Sequence, residues 1–336
     1  MKKMISCVVS AILIVTSAGC VSHGVKETGL RPIPRTKAEV SPRGDKGKRN
    51  SNAKNTAKKR QAPRIKPDLA NIAYGDENPE VQALDVYLAK SETPTPVMVY
   101  IHGGGWRNGS KNRIPDLLAK ECLPNGISVI SVEYRFSYEA IHPAQVNDCT
   151  RAIQFIRTKA DEWNLNPCKI GVMGGSAGGH LVLWIGLHDD AAAWLTLDSV
   201  KRESSRVSCV VNYFGPTDFH LTKEIEHRHP AFRTLLGYDP RTPAEEIPYE
   251  TFEHVSPISY VSSDDPPVLT VHGTADPIVP VRHATDLDKK LREAGVVSKL
   301  VLVEGKGHGG FGKGSEADTE TAKFIKENLL KEDDSR

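Results

Sequence analysis

Ser176 stands in Gly174-Gly175-Ser176-Ala177-Gly178, and His102-Gly103-Gly104-Gly105-Trp106 lies upstream of it. The first segment follows the apolar run Lys169-Ile170-Gly171-Val172-Met173 and leads into the helix-like Leu181-Val182-Leu183-Trp184-Ile185-Gly186-Leu187. Strand, tight turn and helix are the setting that a G-x-S-x-G nucleophile elbow requires. A serine hydroxyl attacks a carbonyl only if a base takes its proton and a third group fixes the tautomer of that base. His308, in Gly305-Lys306-Gly307-His308-Gly309-Gly310-Phe311, is the predicted base, on a glycine-rich loop after the run ending at Val303. Asp276, in His272-Gly273-Thr274-Ala275-Asp276-Pro277, follows Val268 to Val271 and is the predicted acid. Asp218, after Phe214-Gly215-Pro216, is its rival and is expected to cap a turn instead. The order serine, acid, histidine is the one this elbow uses. His180 falls one helical turn beyond Ser176, where packing or capping is its expected role.

Attack on a carbonyl creates an oxyanion, so the same site needs preorganised N–H donors. Glycine lets the backbone approach and aim its amides where a side chain would obstruct them. Gly104 and Gly105, with the amide of Ala177, are the predicted donors. Other patterns fail on inspection. Gly305 to Gly310 satisfies G-x-G-x-x-G, but the 26 residues after it are too few for a dinucleotide-binding unit. Gly307 to Lys313 begins like a phosphate loop and then places Gly314 where Ser or Thr should hold magnesium. His220, His227 and His229 lack the carboxylate or cysteine pattern that would complete a metal site. No metal and no cofactor is expected.

These residues need a scaffold, and the chain from residue 67 supplies one by alternating short apolar runs with helix-like segments. Val97 to Ile101, Ile127 to Val132, Lys169 to Met173, Cys209 to Phe214, Val268 to Val271 and Leu300 to Val303 read as strands, and Ala152 to Ile156 repeats apolar residues at helical spacing. Such alternation argues for an α/β protein with a mostly parallel central sheet and helices on both faces. Each candidate group then sits just past the carboxyl end of a strand, where open α/β sheets place their sites. Residues 189–206 and 217–257 are charged, the second also dotted with prolines, and the second reads either as a lid or as an ordinary peripheral excursion.

The formal net charge of the 336 residues is +2, which conceals an opposition. Residues 43–66 carry ten Lys or Arg against Asp45 alone, whereas residues 67–336 hold 28 Lys or Arg and 39 Asp or Glu, a net of −11. The basic run has no interleaved aromatics, so it reads as a solvated tether and not as a nucleic-acid surface. Residues 1–20 read as an export signal: Lys2-Lys3, an apolar stretch from Val8 to Val15, then Ser17-Ala18-Gly19 before Cys20. That ending resembles a bacterial lipoprotein signal, which implies lipidation of Cys20 and a membrane anchor on the periplasmic or outer face. Ser17 stands where that box usually has Leu, which leaves ordinary cleavage and secretion open. Residues 21–66 would form a disordered tether of about 40 Å root-mean-square length. Export permits disulfides, but the spacing of Cys122, Cys149, Cys168 and Cys209 fixes no pairing and fits buried thiols equally.

Four segments carry a resemblance: His102 to Trp106, Glu133-Tyr134-Arg135, Gly174 to His180, and His272 to Pro280. Over about residues 67–330 the chain resembles the α/β-hydrolase carboxylesterases of the HGGG type, above all the bacterial feruloyl esterase-like branch (BD-FAE). The resemblance implies a Ser176, Asp276, His308 triad, an oxyanion hole at Gly104, Gly105 and Ala177, and acyl-enzyme hydrolysis without a cofactor. Acetyl or feruloyl esters, as small molecules or linked to polysaccharide, are the substrates it suggests. Only some thirty residues separate the basic run from Val97, so the N-terminal helical cap of hormone-sensitive-lipase-like enzymes is expected to be missing. An open cleft would follow. Amide hydrolysis by the same triad, of the arylformamidase or peptidase kind, is the enzymatic alternative, and a non-catalytic binding protein on the same fold is the other.

Overall fold

The structure is a computed structural model that describes residues 65–221, 229–311 and 314–331. The export signal, Cys20 and all but the last two residues of the basic run lie outside the described residues, as does His227.

Eight strands form one sheet: β1 (Leu69–Ala73), β2 (Ala83–Tyr87), β3 (Thr95–Ile101), β4 (Ser128–Val132), β5 (Leu165–Gly175), β6 (Cys209–Tyr213), β7 (Val268–Gly273) and β8 (Ser298–Val303). Their spatial order is β1-β2-β4-β3-β5-β6-β7-β8. From β4 to β8 every neighbouring pair is parallel, while β1 and β2 are antiparallel to each other and β2 is antiparallel to β4. Parallel strands covered on both faces read as unbroken apolar runs, which is why the central ones are visible in the sequence.

The pleat sorts their side chains into two cores. On one face Val97, Val99, Ile101, Val172 and Val210 pack with α2 (Ala144–Thr158), α3 (Ala177–Leu187) and α6 (Arg282–Glu293). On the other face Met98, Met173, Cys209 and Val211 pack with α1 (Asp116–Glu121) and α7 (Glu316–Leu329). Helix α3 is buried on nearly all sides, as an apolar helix wedged between sheet and outer layer must be.

Strands β1 and β2 are additions to the sequence reading. β2 carries Asp85 in its interior, where Lys Nζ of Lys111 donates to it at 2.8 Å, so its apolar pattern is broken by a buried ion pair. β1 is an edge strand of five largely exposed residues. The described part of residues 217–257 contains two short α-helices, α4 (Ala231–Leu235) and α5 (Tyr249–Val255), each with a proline at its N-cap. Cys122, Cys149 and Cys209 are buried free thiols, and burial pushes the first and third up to about 12.

Candidate functional site

Every candidate group lies beyond the carboxyl end of a parallel strand: Gly104 after β3, Ser176 after β5, Asp276 after β7 and His308 after β8. Ser176 links β5 to α3 with φ 55° and ψ −122°, a backbone state that non-glycine residues seldom adopt. Its amide donates to the Tyr213 carbonyl at 2.9 Å, and its own carbonyl accepts from the His180 amide at 3.0 Å. Gly178 makes the turn sterically feasible, because a Cβ there would lie 2.1 Å from the Ile101 carbonyl oxygen.

His308 Nε2 is 2.8 Å from Ser176 Oγ, and His308 Nδ1 is 2.7 Å from Asp276 Oδ2. With Nδ1–H donating to the carboxylate, Nε2 is the acceptor for the serine hydroxyl. Asp276 Oδ1 accepts from the Ile278 and Val279 amides at 2.8 and 3.0 Å. His272 Nε2 donates to the Val279 carbonyl at 2.7 Å and lies 3.4 Å from Asp276 Oδ2. Burial by itself would raise the Asp276 carboxyl, but His272, His308 and the two amides together hold it far below the usual carboxylate range. Asp276 is thus an anion prepared in advance, with a supporting histidine that sequence reasoning did not single out.

The oxyanion segment is equally fixed. Gly104 has φ +124°, and a Cβ on it would fall 1.9 Å from the Asn108 carbonyl oxygen. The amides of Arg107 and Asn108 both donate to the Gly104 carbonyl, closing a tight turn. Among the described residues no acceptor takes the amides of Gly104 or Gly105, and Ala177 opens α3, whose first-turn amides have no partner within the helix. These donors and the positive end of α3 border the serine.

The Glu133-Tyr134-Arg135 segment holds this loop from behind. Glu133 Oε1 is 2.6 Å from His102 Nε2, the Tyr134 ring stacks on His102 at 4.6 Å, and Tyr134 Oη donates to the His102 carbonyl at 3.0 Å. Arg135 in turn forms a forked pair with the buried Asp148 carboxylate. In front, Trp106 is buried against His180, Phe232 and Phe219, with ring centroids 5.2, 5.7 and 6.0 Å apart.

The remaining candidates stand apart from the chemistry. Asp218 Oδ1 accepts from the His220 amide at 2.8 Å, which makes it a turn cap. His180 Nε2 donates to the Val255 carbonyl at 2.8 Å from a fully buried position. His220 packs on Tyr249 and Phe252, whereas His229 lines the cleft over Ser176. Among the described residues no cluster of three or more metal-ligating side chains occurs. The cleft has a volume of about 610 Å³ and is bordered by Gly104, Gly105, Ser176 and His308, with His229 to Phe232 of the excursion forming one wall. Such an arrangement can deprotonate a serine, hold an adjacent anion and return the proton to a leaving group.

Comparison with known proteins agrees with this architecture. The BD-FAE family model matches residues 84–291. "Probable carboxylic ester hydrolase LipM" of Mycobacterium tuberculosis is 28% identical over 248 residues, covering 71% of this chain and 55% of that protein. "Esterase LipC" of the same organism is 27% identical over 245 residues, with 71% and 59% covered. The chain therefore spans between half and two thirds of the length of these relatives. Among solved structures, a truncated carbohydrate esterase from gut microbiota superposes with a TM-score of 0.68 at 29% identity, covering 78% of this chain and 96% of that one. Sheet order and likenesses together make the fold that of an α/β-hydrolase.

Proposed function

This chain belongs to the BD-FAE family of α/β-hydrolases, and from that premise we propose that it is a serine carboxylic-ester hydrolase acting on small or polysaccharide-linked esters. The observation that carries the proposal is the unbroken chain of contacts from Ser176 Oγ to His308 to Asp276, beside the Gly104 and Gly105 amides, which have no acceptor among the described residues. As Oγ bonds to the ester carbonyl carbon, His308 Nε2 takes the serine proton and Asp276 stabilises the resulting imidazolium. The Gly104, Gly105 and Ala177 amides receive the oxyanion. Collapse of the tetrahedral adduct breaks the carbon–alkoxy bond, and His308 returns the proton to the departing alcohol. Water then gives a proton to His308 and its oxygen to the acyl carbon, and a second collapse frees the acid and restores the Ser176 hydroxyl.

Support for carbohydrate-linked esters comes from the gut carbohydrate esterase, which is similar in both fold and sequence. The reading also places the enzyme outside the cytoplasm on a lipidated Cys20, supported by the Ser17-Ala18-Gly19-Cys20 ending; mass analysis of the mature N-terminus checks it, and an unmodified Cys20 overturns it.

Purified protein and Ser176→Ala are to be assayed against nitrophenyl acetate, acetylated xylan, methyl ferulate, N-formylkynurenine and peptides. Ester turnover that falls by about 10⁴-fold or more in Ser176→Ala is expected. Turnover of amides alone, or undiminished turnover by the variant, overturns the proposal.

A further inference from the structure

The cleft beside Ser176 has an unusual electrostatic character for this chain. Residues 67–336 carry a net charge of −11, yet no Asp or Glu borders the cleft among the described residues. Arg107 does, immediately after the oxyanion glycines and Trp106. Its backbone is pinned by the bond from its amide to the Gly104 carbonyl at 3.1 Å, and Trp106 before it is locked at φ 55°. Its guanidinium is exposed and, among the described residues, has no carboxylate partner, whereas Arg113, Arg135, Arg151 and Arg206 all have one.

Two neighbours add donors on the same side. His229 Nδ1 accepts from the Ala231 amide at 3.3 Å, so Nε2 is its N–H nitrogen. Burial, with Arg107 and His308 nearby, holds His229 below its ordinary value, which keeps its ring neutral and leaves Arg107 as the fixed cation. Asn108 also borders the cleft, with its amide donating to the Gly104 carbonyl in the same turn. Arg107, whose guanidinium has no carboxylate partner among the described residues, Asn108 and His229 all line the cleft into which the body of a substrate extends once its ester carbonyl sits in the oxyanion hole.

We infer that this cleft selects esters whose body carries an anion, a carboxylate or a sulfate, with Arg107 as the residue that recognises it and His229 and Asn108 as accessory donors. The inference rests on the esterase reading and narrows its substrate class to acidic, uronate- or sulfate-bearing glycan esters. A guanidinium binds carboxylate and sulfate oxygens through paired, charge-assisted hydrogen bonds.

The test compares O-acetylated methyl galactoside with the matched galacturonate and galactose 6-sulfate, using wild type, Arg107→Gln and Arg107→Lys at low and high ionic strength. Wild type is expected to favour at least one anionic ester over the neutral one by about tenfold in kcat/KM at low salt. That ratio should fall toward one in Arg107→Gln, survive in part in Arg107→Lys, and shrink as salt rises. The two anionic arms distinguish carboxylate from sulfate. A wild-type ratio of one or less, or a preference unmoved by Arg107→Gln while the neutral acetate is still hydrolysed, overturns the inference and leaves the esterase reading standing. If none of the three esters is hydrolysed while nitrophenyl acetate is, the inference is overturned and the esterase reading stands; if nitrophenyl acetate is not hydrolysed either, both fail.

Discussion

The elbow and oxyanion loop differ from the excursion between β6 and β7 in how their residues are placed. At the elbow, position is set by short-range sterics: Gly178 and Gly104 tolerate no Cβ because backbone oxygens would stand 2.1 and 1.9 Å away. In the excursion, short proline-led helices are placed by aromatic side chains, with Phe232 and Phe219 meeting Trp106 and each other at centroid distances of 5.2 to 6.0 Å. The first region is a backbone device and the second a packing device. A backbone device fails abruptly under substitution, whereas packing fails in proportion to the volume removed.

The largest effect that can probe this contrast is on the chemistry the elbow serves. Asp276→Asn should lower kcat by about 10⁴-fold, because the amide favours the wrong His308 tautomer while filling the same volume. Steady-state kinetics with a melting curve would check it, and a loss explained by unfolding would count against the assigned role. Gly104→Ala comes next: displacing the loop should cost about 10² to 10³ in kcat, as removal of a single oxyanion donor does. A loss below tenfold would mean that the loop yields like packing and would break the contrast.

Phe232→Ala should instead act on stability, by about 3 to 5 kcal/mol in chemical denaturation, with a smaller change in kcat. Equal losses of kcat in Phe232→Ala and Gly104→Ala would merge the two regions into one. The smallest effect sits at their junction, where His180 packs on Trp106 and Phe219 and bonds to Val255. Burial lowers His180 to about 3, opposed by the Val255 bond and aided by His142. Its folded value lies below its unfolded value near 6.5, so its contribution is complete above that pH and is lost as pH falls toward 3. Between pH 7.5 and 5 the wild type should lose about 2 kcal/mol more than His180→Gln in urea unfolding, and parallel slopes would rule the histidine out as their source.

Legibility followed the same division. The strands that flank the site, the elbow and the placement of Asp276 and His308 were readable because glycine spacing and apolar runs encode backbone geometry directly. β2 was hidden by the buried Asp85–Lys111 pair, and β1 by its exposed edge position. The support of His102 by Glu133 and of Asp276 by His272 needed distances, although Glu133-Tyr134-Arg135 and His272 were present in the motifs. The place of His229 at the cleft is not legible, since nothing in its neighbours along the chain signals that the excursion returns it there.

The backbone of Ser176 sets ease of folding against chemistry at a single position. At φ 55° and ψ −122° a serine is strained by about 1 to 3 kcal/mol, a state glycine reaches without a Cβ clash. Ser176→Gly would relieve that strain and at the same time remove the hydroxyl that stands 2.8 Å from His308 Nε2. The least comfortable backbone of the elbow thus carries the one group that the proposed chemistry cannot do without.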